Sequence, residues 1–74
     1  MTHGEFLEKF QDVLQTEEPL GMDTVLEDLV EWDSLARMAT VAFLDSDFGV
    51  GATFEDFAGM RTVADVARKA GVAS

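Results

Sequence analysis

Thr2 with Glu5, Thr53 with Asp56 and Thr62 with Asp65 repeat one pattern: a hydroxyl residue, two others, then an acid, beside an apolar stretch. In that pattern each side chain satisfies a backbone N–H that the first turn of a helix leaves free, so it marks where a helix begins. Asp33 marks a fourth beginning, because its carboxylate can accept the free N–H groups and faces the positive end of the helix dipole. Gly49 and Gly71 mark ends, since glycine readily takes the left-handed conformation that closes a helix. Four starts within 74 residues leave room for helices and their connections, and no stretch alternates as a strand would.

The apolar spacing fills in these limits. Phe6, Leu7, Phe10, Val13 and Leu14 recur at helical spacing, which predicts a first helix over residues 2–15. Residues 16–32 form a long connection broken by Pro19 and Gly21. Val25, Leu26 and Leu29 are expected to pin it to the core, through one short helical turn. A second helix is predicted over residues 33–48. A short third helix is predicted over 53–58, with Phe54 and Phe57 pointing inward. A last helix is predicted over 62–70, burying Val63, Val66, Ala67 and Ala70 and placing Arg68 and Lys69 at its negative end. The expected fold is all-α: a small four-helix bundle, three main helices plus a short third helix, in one domain over residues 1–74.

Composition narrows the function. Fifteen acidic and five basic residues give a formal charge of −10, which repels nucleic acid and anionic membrane and favours partners with basic docking surfaces. The absence of Cys rules out disulfides and thiolate metal sites. Residues 1–10 carry Glu5 and Glu8 within their apolar pattern, unlike a signal peptide. No apolar run approaches the roughly 18 residues of a membrane span, so a monomer in the cytoplasm is expected. His3 is the sole His, near a terminus, and is read as solvated. A serine hydrolase has no other candidate base, so no catalytic residue is expected. Asp45-Ser46-Asp47-Phe48-Gly49-Val50-Gly51 resembles a calcium loop. It departs from one at the fifth, sixth and twelfth positions, which are Gly49, Val50 and Asp56, so a helix end and no metal site is expected there.

At about 100° per residue the second helix has two sides. Arg37, Thr40, Val41, Leu44 and Phe48 are expected to face the core, with the Arg37 stem packed and its guanidinium reaching solvent. Leu35, Met38, Ala39 and Ala42 are expected on the opposite side as a partner surface. Ser34 follows the cap, so its hydroxyl projects from the first turn, where a phosphate would meet free N–H groups.

The stretch Leu26-Glu27-Asp28-Leu29-Val30-Glu31-Trp32-Asp33-Ser34-Leu35 resembles the modification site of acyl carrier proteins. In that family an Asp-Ser-Leu triplet opens the second helix after a loop with a Leu-acid-Leu pattern. Phe48-Gly49-Val50, the short third helix and Thr62-Val63-Ala64-Asp65-Val66 also resemble the family, and the likeness covers nearly the whole chain. The resemblance implies a covalent 4′-phosphopantetheine on Ser34, attached from coenzyme A by a phosphopantetheinyl transferase with magnesium. The thiol at the far end of the arm would hold acyl groups as thioesters, so the missing Cys is replaced by an imported thiol. Asp33, Leu35 and Met38 would then lie where acyltransferases, ketosynthases and other pathway enzymes grip the carrier. Fatty-acid-synthesis carriers show several acids on the exposed face of this helix, where this chain offers Ala36, Ala39 and Ala42. Trp32 before Asp33 is also more like free-standing carriers of specialised pathways. A discrete carrier for a polyketide, peptide or modified acyl unit is therefore expected, ahead of a housekeeping fatty-acid carrier or a helical interaction module that carries no acyl group.

Overall fold

The computed structural model describes residues 1–72 as four helices: α1 (His3–Leu14), α2 (Ser34–Phe48), α3 (Phe54–Ala58) and α4 (Val63–Ala70). A single 3-10 turn, Leu26–Asp28, interrupts the connection from α1 to α2. Ala73 and Ser74, the end of the domain read over residues 1–74, lie outside the described residues.

The helices begin where the cap residues stand. The Thr2 hydroxyl accepts the Glu5 N–H at 3.2 Å, and the Glu5 carboxylate accepts the Thr2 N–H at 3.1 Å. Asp56 accepts the Thr53 N–H at 2.8 Å, and Asp65 accepts the N–H groups of Thr62 and Arg61 at 3.1 and 2.8 Å. A backbone N–H donated to a carboxylate favours its ionised form. That bond, from Thr2 and Thr53 respectively, is the main cause holding the Glu5 and Asp56 carboxyls below their ordinary range. At the other ends, Gly49 and Gly71 close α2 and α4 with φ of 66° and 83°. Gln15, read from sequence as helical, instead caps α1 in the left-handed region with φ of 55°.

The core is aromatic on one side and aliphatic on the other. Phe6, Phe10, Phe43 and Phe48 pack with ring centroids between 5.3 and 6.3 Å apart, joining α1 to α2. Leu26, Leu44, Val63 and Val66 are completely buried, and the expected stripe of α4 (Val63, Val66, Ala67, Ala70) is buried throughout. Lys69 reaches Asp56 at 3.6 Å and ties α4 to α3. Asp65 pairs with Arg68 one turn along α4.

Several sequence expectations are corrected. The inward face of α2 consists of Ala36, Thr40, Phe43 and Leu44. It is rotated by roughly 70° from the stripe centred on Arg37, Val41 and Leu44. The pull comes from the Phe6–Phe10 pair of α1, which captures Phe43; Ala36 is thereby buried and Arg37 and Val41 are left half-exposed. Thr40 is completely buried, and its hydroxyl donates to the Ala36 carbonyl at 2.8 Å, which satisfies it without a partner helix. Phe54 does not point inward: it is 48% exposed, while Phe57 is buried. α3 has only five residues, so one of its two aromatics fills the inward position. His3 is half-buried rather than solvated, with Nε2 shielded and without a hydrogen-bond partner. The calcium-like stretch forms the last turn of α2 and its Gly49 cap.

Candidate functional site

The connection from α1 to α2 is held by main-chain bonds to the start of α4. The Leu26 N–H donates to the Arg61 carbonyl at 2.9 Å, Val63 N–H to Thr24 at 3.0 Å, and Ala64 N–H to Met22 at 2.8 Å. Val25 and Thr62 form an isolated antiparallel bridge in the same place. From there the chain advances by successive i to i+3 bonds, Leu29 N–H to Leu26 at 3.0 Å and Trp32 N–H to Leu29 at 3.1 Å. A chain turning every three residues puts Leu26, Leu29 and Trp32 on one side. Leu26 is completely buried, Leu29 is half-buried and Trp32 is 9% exposed.

Trp32 anchors the end of this run. Its ring meets Phe57 edge-on at 5.6 Å and Phe10 edge-on at 6.4 Å, so the residue just ahead of α2 is locked to α1 and α3 together. Asp33 then turns outward, and its carboxylate accepts the Ala36 N–H at 2.8 Å as the cap of α2. Removing that bond by Asp33→Ala is expected to cost about 1 kcal/mol in urea unfolding, the usual loss for an N-cap.

Ser34 is the first residue of α2, is exposed, and its hydroxyl makes no hydrogen bond among the described residues. The chain thus presents a free hydroxyl on a rigid helix start, fixed from below by Trp32 and capped by Asp33. Glu27, Asp28, Glu31 and Asp33 precede it in the chain, none of them buried. Of the expected partner face, Leu35 and Met38 are 75% and 59% exposed and Ala42 is exposed, while Ala39 is half-buried. Ala39 lines, with Val13, Leu14, Leu35 and Ala36, a cleft of about 310 Å³ between the end of α1 and the start of α2. Ala36, read as part of the exposed alanine face, belongs to the core and to the floor of this cleft.

Two features of the site were not read from the sequence. Val30 is 94% exposed, an aliphatic side chain set among acids. The i to i+3 turns that bury Leu26, Leu29 and Trp32 leave Val30 on the outer side, and no helical or strand pattern in the connection announces them. Arg37 lies with its guanidinium 5.6 Å from the centre of the Trp32 ring, a contact that crosses the helix start and has no periodic signal. On the far side of this pair, a second cleft of about 270 Å³ is lined by Trp32, Arg37, Phe54, Phe57 and Met60, with Glu27 at its edge.

Among the described residues no group of three or more His, Asp or Glu side chains is placed to hold a metal ion, and no helix is long and apolar enough to cross a membrane. No individual curated protein and no solved structure matches the chain. Residues 5–69 match the family described as phosphopantetheine attachment site, a span that takes in most of α1, the pinned connection, Ser34 and most of α4. The chain belongs to this family, whose domains carry a covalently attached 4′-phosphopantetheine.

Proposed function

We propose that Ser34 is the residue that carries the arm, and that the protein is an acyl carrier with no catalysis of its own. The observation that carries this reading is the exposed, unengaged Ser34 hydroxyl at the capped start of α2. The residues around it fit the group. The hydroxyl has no internal bond to break, and a phosphodiester on it meets the positive end of a 15-residue helix. On loading, Ser34 Oγ loses its proton and becomes the ester oxygen of that phosphodiester, while the nucleotide half of coenzyme A leaves. The bound arm supplies a terminal thiol on which an acyl group is held as a thioester. Asp33 fixes the first turn, Trp32 fixes its base, and Val30, Leu35, Met38 and Ala42 form the apolar surface offered to partners. Their acidic surroundings favour enzymes with basic rims, beginning with a phosphopantetheinyl transferase and continuing to acyltransferases or ketosynthases.

The test is incubation with a promiscuous phosphopantetheinyl transferase, coenzyme A and magnesium, followed by intact and tandem mass spectrometry. One phosphopantetheine adduct on the peptide containing Ser34 is expected. An unmodified mass with several such transferases counts against the reading.

Within this role, a discrete carrier of a specialised pathway is favoured over a housekeeping fatty-acid carrier. The support is that α2 carries no acid before Asp45, so its outer face from Leu35 to Ala42 is apolar. The burial of Ala36 removes one of the three alanines from that comparison; Ala42 and the half-buried Ala39 still stand on it. The malonyl-loaded protein is expected to be elongated poorly by fatty-acid ketosynthases, and rapid elongation in a reconstituted assay reverses the preference.

A further inference from the structure

We propose that Arg37 grips the phosphodiester of the arm and so lays the arm along the cleft beside Trp32 rather than along the opposite flank of α2. The inference rests on Ser34 being the attachment residue.

The first ground is an unpaired cation in an acidic chain. Lys9 pairs with Asp47 at 3.4 Å, Lys69 with Asp56 at 3.6 Å, and Arg68 with Asp65. Of the two remaining cations, neither of which makes an ion pair among the described residues, Arg61 is exposed and Arg37 is half-buried, although the chain has fifteen acids. Asp33 stands four residues before it, where a helical partner belongs. The Asp33 carboxylate is engaged by the Ala36 N–H instead. Glu27 borders the same cleft without pairing to Arg37.

The second ground is preorganisation. The guanidinium is held over the Trp32 ring, and that ring is itself held by Phe57 and Phe10. A guanidinium held over a ring face makes no hydrogen bond to the ring, so its N–H donors stay available to an oxyanion, and it has already lost part of its hydration and freedom.

The third ground is reach. Helical side chains run back towards the N-terminus, so Arg37 covers the turn that Ser34 opens. Residues three apart on a helix have Cβ atoms about 5–6 Å from each other. Viewed down α2, Arg37 lies about 60° from Ser34, while Leu35 lies about 100° away on the other side.

Charge then separates the two clefts. The one beside Trp32 sets Arg37 against a single acid, Glu27, with Phe54, Phe57 and Met60 also in its lining. The one beside Leu35 is bordered by Glu31 and Asp33 and by no cation, so it repels a phosphodiester.

The test uses the full chain loaded by transferase and coenzyme A, with loading at Ser34 checked by tandem mass spectrometry. Loading is expected to shift the Arg37 Nε–H resonance and to give nuclear Overhauser contacts from the pantetheine methyl groups to Trp32, Phe57 and Met60. In loaded Arg37→Gln these contacts are lost and the phosphorus resonance moves, whereas Arg37→Lys keeps part of the phosphorus shift. Unloaded Arg37→Gln and Arg37→Lys serve as fold controls through their amide spectra. A loaded wild type without an Arg37 shift, or a loaded Arg37→Gln with the same contacts and phosphorus resonance, overturns the proposal and leaves Ser34 as the tether. Failure to load Ser34 overturns both.

Discussion

Ser34→Ala is expected to abolish loading completely and to leave the fold intact. The hydroxyl takes no part in any hydrogen bond among the described residues, and the residue is exposed at the first position of α2. Alanine is a good helix former, and a surface change of this kind normally alters stability by no more than about 0.5 kcal/mol. Two other hydroxyls among the described residues are placed differently. Ser46 lies three turns further along α2 and donates to Asp47 at 3.1 Å, and Thr2 is engaged in the cap of α1. Coexpression with a transferase, intact mass measurement and a thermal melt check both halves of the expectation. An adduct that survives in Ser34→Ala would move the tether elsewhere. A collapsed melt would make Ser34 a structural residue.

Leu26→Ala is expected to give the largest loss of stability in the connection. Leu26 is completely buried, and its removal leaves a cavity beneath the 3-10 turn. Deleting a buried Leu to Ala costs about 2–5 kcal/mol. A domain of this size holds roughly 4–11 kcal/mol in all, so about half of the total is at stake. The effect should spread to the bonds that Leu26 shelters. The amides of Val63 and Ala64, which donate to Thr24 and Met22, should lose hydrogen-exchange protection together with that of Leu26 itself. Urea unfolding and amide exchange measure the two consequences. A cost under about 1 kcal/mol would show that the turn is held by its main-chain bonds alone.

The helix starts were legible because a cap is a local arrangement: Thr2, Asp33, Thr53 and Thr62 need only the next few residues to act. Ser34 was legible for the same reason, as the residue after a cap. The rotation of α2 was not, because Arg37 and Phe43 both lie within the plausible arc and only the Phe6–Phe10 pair on another helix decides between them. Phe54 and Phe57 were both expected inward, and Phe54 is turned out because so little of a five-residue helix can face the core. Sequence places Trp32 beside the site, but sequence spacing does not say what its ring touches. Its edge-on contacts to Phe10 and Phe57 make it a packed residue, and the Arg37 guanidinium over its ring adds a contact that no spacing rule announces.

The bonds that fasten the connection to α4 run between main-chain atoms: Leu26 to Arg61, Val63 to Thr24, and Ala64 to Met22. Such a fastening is indifferent to which side chains the segment shows to solvent. Glu27, Asp28 and Val30, all exposed, can therefore be exchanged without altering the course of the chain that delivers Ser34. In the proposed carrier role, evolution, or an engineer, could rewrite which enzymes dock at this rim while the anchoring geometry stays fixed. New allegiances among partners become available by a few surface substitutions rather than by a new fold.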